Sequence, residues 1–361
     1  MNVPKLRFKE FNNEYVKLKY KDVLKIKSGK DQKQVENKNG KYPILGTGGQ
    51  IGKTNSFLYD KPSVLIGRKG TINKPQYMES PFWTVDTLFY SHIYEPNIPK
   101  YLFYSFQNVN WKKYDESTGV PSLSSSTIEN VECNIPSPNE QIKVANFLSL
   151  LDKKIELQTK KIEDLKLFKL YTKNQIFKDY DEIFKLKDIL VKWNKKNKNK
   201  SVKYVESISN KYGFISQSDQ FEDRNVASKD LNNYYIIEKG VFGYNPSRLN
   251  VGSMALKTND KVSVVSPLYE CFTTSQNNQY LLEWFDSKYF RKETISKFEG
   301  GVRNTLNFSN LCEIEIGLPT IKKQNKYSKI FKTFNNKIEF EVKKLYKLHE
   351  LKKGLMQDMF V

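Results

Sequence analysis

Two stretches of the chain carry apolar residues at alternating spacings of three and four. The first has Leu148, Leu151, Ile155, Ile162 and Leu165, and the second has Phe331, Phe334, Ile338, Leu345 and Leu348. This is the spacing of a heptad seam on an α-helix, interrupted at Gln158 and Glu341 and flanked by lysines over the remaining surface. Each stretch opens with proline, a natural stop for a preceding strand, and then runs roughly 38 residues without another, or roughly 55 Å of helix. A small domain needs no helix of that length. Two such seams in one chain bury each other most economically; the alternative is that each packs on its own domain.

Elsewhere the pattern changes to short aromatic and β-branched runs separated by Gly, Pro and Asn, which predict strands and turns. The two patterns occur in the same order twice. IPSPNEQIKVANFLSLLDKKIELQTKKI aligns without a gap over LPTIKKQNKYSKIFKTFNNKIEFEVKKL, pairing Pro136 with Pro319, Gln141 with Gln324, Lys154-Ile155-Glu156 with Lys337-Ile338-Glu339, and later Phe177 with Phe360. Upstream, VKLKYKDVLK resembles FKLKDILVK, and GVPSLSSSTIENVECNIP resembles GVRNTLNFSNLCEIEIGLP, with Leu123 over Leu306. The layout predicted is α+β: a mixed domain over 1–135, a long helix over 136–180, a second mixed domain over 181–318 and a second long helix over 319–361. A shared frame with unlike loops suits a protein that recognises two different things with one design.

Among those loops, LGTGGQIGKT (45–54) raises the question of a nucleotide-binding loop. Gly52, Lys53 and Thr54 stand in the required order, but Thr47 occupies the place of the first glycine, and NSFLYDKPSVLIG follows where a helix should face the phosphates. A turn that lets the backbone approach a polyanion fits better, with Gln50, Lys53 and Thr54 near it. In PSVLIGRKGTINKP a strand ends in Arg68 and Lys69 between glycines, followed by Thr71, Asn73 and Lys74. In VFGYNPSRLNVGS a strand ends in Tyr244, Asn245, Ser247, Arg248 and Asn250. Arginine pairs bidentately with guanine and asparagine with adenine in the major groove, while Lys, Ser and Thr hold phosphates. Arg303 and Asn304, opposite Pro121 and Ser122, are similar candidates. For any single lysine the simpler reading is a solvated turn charge. Trp111 with Lys112 and Lys113 would either grip a backbone or, for the tryptophan, fill the core.

Composition narrows the partners. The chain has 361 residues, with 60 Lys and Arg against 40 Asp and Glu, for a net charge of +20. That field attracts polyanions, nucleic acid first; a Lys- and Asn-rich genome would explain the lysines but less easily their excess over acid. Its 22 Tyr and 23 Phe supply aromatic core despite 38% hydrophobic content. There are only 2 histidines, His92 and His349, so imidazole catalysis and His-cluster metal sites are disfavoured. The 3 cysteines, Cys133, Cys271 and Cys312, are far apart and read as small hydrophobes, with neither a disulfide framework nor a metal site. No stretch approaches membrane-span length and MNVPKLRFKE has no apolar signal core, so a soluble cytoplasmic protein is expected. YNPSR departs from the N-P-P-aromatic motif of adenine methyltransferases at Ser247 and Arg248, and no glycine-rich cofactor motif opens a strand–helix unit.

The twofold layout, with IPSPNEQ leading into DKKIELQTKKI and LPTIKKQ into NNKIEFEVKKL, resembles the specificity subunit of type I restriction-modification systems over nearly the whole chain. VPKLRFKEF, YPILGTGGQIGKT, VLIGRKGT, ISQSDQFED and YNPSRLNVGS are similar to its target-recognition domains. One departure is Lys323, which stands where the first copy has Glu140. The resemblance implies two target-recognition domains joined by two long helices in an antiparallel coiled coil, with pseudo-twofold symmetry. It implies that each domain reads one half of a split, asymmetric double-stranded DNA site, the helices fixing the gap. It further implies two methyltransferase subunits around the helices and two restriction/translocase subunits beyond them. S-adenosylmethionine, ATP and magnesium would be bound by those partners, and this chain would bind no cofactor and catalyse nothing. The alternatives are a DNA-modifying or DNA-cleaving enzyme with an unrecognised carboxylate site, and a coiled-coil scaffold with incidental basicity.

Overall fold

A computed structural model describes residues 3–79, 81–209, 212–217, 230–251, 254–295 and 305–361. In the first half the order is β1 (Val16–Lys19), β2 (Leu24–Lys27), β3 (Tyr42–Gly46), β4 (Gly49–Thr54), β5 (Ser63–Gly67), β6 (Gln76–Met78), β7 (Trp83–Thr84) and β8 (Leu88–Ile93). Then come α1 (Pro99–Asn108), α2 (Ser125–Asn130), β9 (Glu132–Ile135) and the long α3 (Pro138–Ile176). The second half opens with β10 (Glu182–Lys185), β11 (Leu190–Lys192), β12 (Glu206–Ser209), β13 (Gly213–Ser216) and β14 (Tyr235–Ile237). It continues with β15 (Phe242–Tyr244), β16 (Met254–Leu256), β17 (Ser263–Val265) and β18 (Glu270–Thr274). It closes with α4 (Asn278–Phe285), α5 (Lys288–Ile295), α6 (Phe308–Cys312), β19 (Glu315–Leu318) and the long α7 (Ile321–Met359). Among the described residues no helix is long and apolar enough to cross a membrane.

These elements form two compact units, residues 1–160 with 343–361 and residues 161–342. Each long helix therefore gives part of its length to each unit. In the first unit an antiparallel sheet of order β2-β8-β5-β6 lies beside a smaller one of order β4-β3-β7, and β1 pairs with β9. In the second, the order β11-β18-β15-β16 repeats that frame and β10 pairs with β19, while the smaller sheets are β12-β13 and β14-β17. The α+β class read from the sequence holds in both.

The weak upstream repeat has a structural cause. In each copy a lysine backbone N–H is capped by the aspartate three residues on, Lys19 by Asp22 at 2.8 Å and Lys185 by Asp188 at 3.1 Å. The residue after the lysine then donates to the segment before the last strand, Tyr20 to Val131 O at 3.0 Å and Leu186 to Ile314 O at 2.9 Å. Aromatic payloads fill the space beneath. Tyr20, Tyr101, Phe106 and Trp111 are buried in the first unit, with Trp111 Nε1 donating to Phe106 O at 2.8 Å, so this tryptophan fills the core and does not present its ring to a nucleic acid. Phe242 and Phe272 stack at 5.0 Å in the second, over Tyr280 and Phe285.

The helix halves run antiparallel within each unit. The first core takes Val144 and Leu148 from the start of α3 together with Met356, Met359 and the adjacent Phe360 from the end of α7, and Lys352 meets Asp152 at 2.6 Å. In the second unit Lys169 donates to Asn335 at 2.8 Å and Phe177 packs on Phe331 at 5.8 Å. All ten seam residues predicted from spacing are buried or half-buried. The two interruptions are buried as well, Gln158 to 7% and Glu341 to 1% exposure. Glu341 keeps its charge partnered by Lys161 at 2.7 Å and Lys337 at 3.5 Å, so the seam changes chemistry there without leaving the interior.

The shared glutamine explains why both helices enter alike. Gln141 Nε2 donates to Pro136 O at 3.0 Å while its Oε1 accepts from Ile98 N, at the start of α1, at 2.9 Å. Gln324 does the same between Pro319 O at 2.9 Å and Asn277 N, at the start of α4, at 3.1 Å. The residue before each glutamine answers an opposite charge. Glu140 is clamped by Arg7 through two bonds of 2.8 Å and by Tyr15 at 3.1 Å. Lys323 instead reaches Asp179 at 3.1 Å and Asp181 at 3.2 Å. The substitution that sets the second copy apart is thus a swap of polarity matched by the segment it holds.

Candidate nucleic-acid interface

Strand β5, SVLIG, is buried at all five positions and ends in a forced reversal. A Cβ on Gly67 would lie 2.4 Å from Thr71 O, and Gly70 takes a φ of +86°, so only glycine suits either place. The reversal leaves Arg68 and Lys69 exposed on a backbone bonded from both sides. Arg68 N donates to Thr87 O at 2.8 Å, Leu123 N donates to Arg68 O at 2.9 Å, and Lys69 bridges Ser122. Among the described residues no carboxylate pairs with the Arg68 guanidinium.

Two further segments join this loop. LGTGGQIGKT is the β3–β4 hairpin, with Gly49 at a φ of +114°, and no helix follows it. Gln76 Nε2 bonds Gly46 O at 2.9 Å, and Thr47 Oγ1 lies 3.9 Å from where a Cβ on Gly70 would be. Gly70 N donates to Pro121 O at 2.8 Å. The structure therefore brings together Thr47, Arg68, Lys69, Thr71 and Ser122. Gln50 is exposed and spends its amide on Gly52 O at 3.2 Å. Lys53 lies further along the hairpin, opposite Pro43, and Lys74 is exposed beyond the turn.

The segment 115–122 is closed on itself by its acids. Asp115 Oδ1 accepts from Ser122 N at 2.9 Å and Ser117 N at 3.0 Å, and these bonds lower its pKa. Glu116 accepts from Thr127 and Ser124, which lower its pKa likewise, while its own N–H bonds Ser122 O at 3.0 Å. Sequence reading missed both carboxylates and Thr47. The signal present was DEST before GVP, an acidic turn former ahead of a glycine.

In the second unit β15 holds the place of β5 in its sheet. Asn245 starts the turn there: its Oδ1 accepts from Ser247 N at 3.0 Å and its carbonyl from Arg248 N at 3.0 Å. Ser247 and Arg248 are exposed, Leu249 is buried beneath them, and Asn250 lies in the 3-10 turn Pro246–Val251. Leu306 N donates to Pro246 O at 3.1 Å, as Leu123 does to Arg68 O in the first unit. Tyr244 departs from expectation. Its ring is fully buried and packs on Phe272 at 6.3 Å, with burial raising its pKa, so it roots the loop from the core and is withdrawn as a surface contact. Arg303, Asn304 and most of ISQSDQFED lie outside the described residues.

The model for the type I restriction modification DNA specificity domain matches this chain twice, over residues 12–167 and 178–350. The chain belongs to that family. Its two matched copies coincide with the repeat read in the sequence. A specificity subunit of the type I restriction enzyme MjaVIII from Methanocaldococcus jannaschii is 24% identical over 292 residues, covering 71% of this chain and 68% of the relative. The EcoDI specificity subunit from Escherichia coli is 23% identical over 148 residues, covering 40% of this chain and 32% of the relative. This match spans only about a third of that relative's length. The solved S subunit of a type I restriction-modification system from M. genitalium has the same fold, with a TM-score of 0.67 over 99% of both chains at 16% identity. A second solved chain, from work on assembly and conformational transition of the type I system, gives a TM-score of 0.56 over 95% of this chain and 96% of its own, at 11% identity.

Proposed function

We propose that this chain is the DNA specificity subunit of a type I restriction-modification complex, reading a two-part asymmetric site in double-stranded DNA and scaffolding the catalytic subunits. The domains at 1–135 and 181–318 each read one half. Arg68, Lys69, Thr71 and Ser122, with Gln50, Lys53 and Lys74 along the same domain, serve the first half. Asn245, Ser247, Arg248 and Asn250, with Arg303 and Asn304, serve the second. The observation that carries this reading is an arginine without a carboxylate partner, among the described residues, on a braced loop at the end of the same sheet position in both units. A braced loop loses little freedom on binding, and an unpaired guanidinium is free to take a guanine edge bidentately.

The segments 136–180 and 319–361 carry the assembly role. Leu150 and Leu157 in the first unit, and Leu167 and Leu170 in the second, are 72%, 56%, 64% and 54% exposed along α3. Apolar surface of that extent on lysine-rich helices supports docking of two methyltransferase subunits, with two restriction/translocase subunits joining them. S-adenosylmethionine, ATP and magnesium are held by those partners in the cytoplasm, and this chain performs no chemistry itself.

The test is co-expression with the methyltransferase subunits and mapping of methylated adenines across a genome. A two-part motif with a fixed gap is the expected result. Arg68→Ala then relaxes one half and Arg248→Ala the other, each by about ten- to a hundredfold at one base pair. Equal loss on both halves from either variant would refute the assignment of one half per domain.

A further inference from the structure

We infer that Val120 reads the C5-methyl group of a thymine in the half-site contacted by the first unit; this rests on the DNA-reading role proposed above. Val120 is 66% exposed, the one large aliphatic side chain in the segment Asp115 to Ser122, between Gly119 and Pro121. An exposed valine alone means little. This one stands on a segment with no slack. Its carbonyl lies 2.7 Å from Ser117 Oγ, which is also 2.9 Å from Asp115 Oδ1, and Glu116 N closes the loop on Ser122 O at 3.0 Å.

The loop is fastened to the arginine-bearing turn on its other side. Gly70 N donates to Pro121 O at 2.8 Å and Leu123 N to Arg68 O at 2.9 Å, with Lys69 bridging Ser122 between them. Val120, next to the Pro121 that accepts from Gly70, is therefore held on the same braced platform that carries the unpaired Arg68. If Arg68 reads a base edge as proposed, the same platform presents Val120 to the same groove. Valine neither donates nor accepts a hydrogen bond, and the apolar group of the major-groove edge is the thymine methyl. The Gly-Val pair recurs in the second half as Gly301-Val302, which lies outside the described residues.

The experiment uses the complex of the full chain with its methyltransferase subunits and duplexes carrying its mapped motif. Each thymine of the first half is replaced in turn by deoxyuridine, which removes the methyl group and nothing else. The expected result is one position at which uridine weakens binding about fourfold, the worth of one buried methyl. Val120→Ala then weakens binding to the thymine duplex by a similar factor and abolishes the difference between thymine and uridine. A first half-site with no such position, or a difference that persists in Val120→Ala, overturns the inference while leaving the reading of the site intact. Weaker co-purification of the partner subunits by Val120→Ala, with the thymine preference unchanged, also overturns it and makes Val120 a protein contact. Failure to obtain any two-part motif would appear before uridine is introduced, and would bring down the proposed function together with this inference.

Discussion

Gly67 occupies the point where a fully buried strand turns back on itself, 2.4 Å from Thr71 O for any Cβ placed there. Because the obstructing atom is backbone, rotamer adjustment gives no relief and Gly67→Ala must displace the turn that carries Arg68. The expected cost is about 1–3 kcal/mol to the first unit, the range for overpacking. It should come with relaxed readout of the first half-site and an unaltered second half; unchanged melting and unchanged readout together would refute the steric argument. That a strand ends there in arginine between glycines was legible from the letters alone. The inward direction of Tyr244 was not, since β15 has only three residues, Phe242–Tyr244, all buried, and so offers no alternation from which to assign faces. Asp115 and Glu116 were overlooked for a different reason. Acids are poor candidates in a polyanion-binding loop until one sees that their oxygens are occupied by their own loop's donors.

At the scale of elements, the long helices were readable because proline-free text and a three-four spacing persist over many turns, and helix is the structure that spacing serves. The polar interruptions misled only as to geometry, for Gln158 and Glu341 remain buried in the seam. What spacing cannot show is which charge a buried or half-buried lysine finds, as with Lys173, 4% exposed, which bonds Asp286 at 2.9 Å. Lys323 gives this a test. Tyr327 and Lys323 donate to Asp179, and Thr320 N–H and Lys323 to Asp181, so both carboxyls titrate below the ordinary 3.8. Groups lowered by folding contribute stability above their unfolded pKa and lose it as pH falls through the folded value. Protection of the Thr320 amide from hydrogen exchange should therefore be constant from about pH 8 to 5 and decline below about pH 4. Lys323→Glu, which copies the first helix, sets a third carboxylate beside two and should lower melting of the second unit by a few degrees at neutral pH. That deficit should shrink in acid as the carboxyls protonate; a deficit independent of pH would point to packing instead.

For the whole molecule, two classes of surface do different work and should separate cleanly by mutation. On the function proposed above, arginines on the braced loops would touch DNA, whereas exposed apolar residues of α3 would meet protein. Leu167→Glu with Leu170→Glu alters side chains that are 64% and 54% exposed, so the circular dichroism spectrum and melting of the chain should be unchanged. Co-purification of the methyltransferase subunits should fall at least tenfold, because charge is being placed where the proposed apolar contact would form. Any complex that still assembles should methylate the same two-part motif as wild type, since no loop is altered. Arg68→Ala should give the mirror outcome, with full assembly and a relaxed motif. If the leucine pair instead left assembly intact while changing the motif, α3 would be a DNA contact, and the division between helices that assemble and loops that read would have to be abandoned.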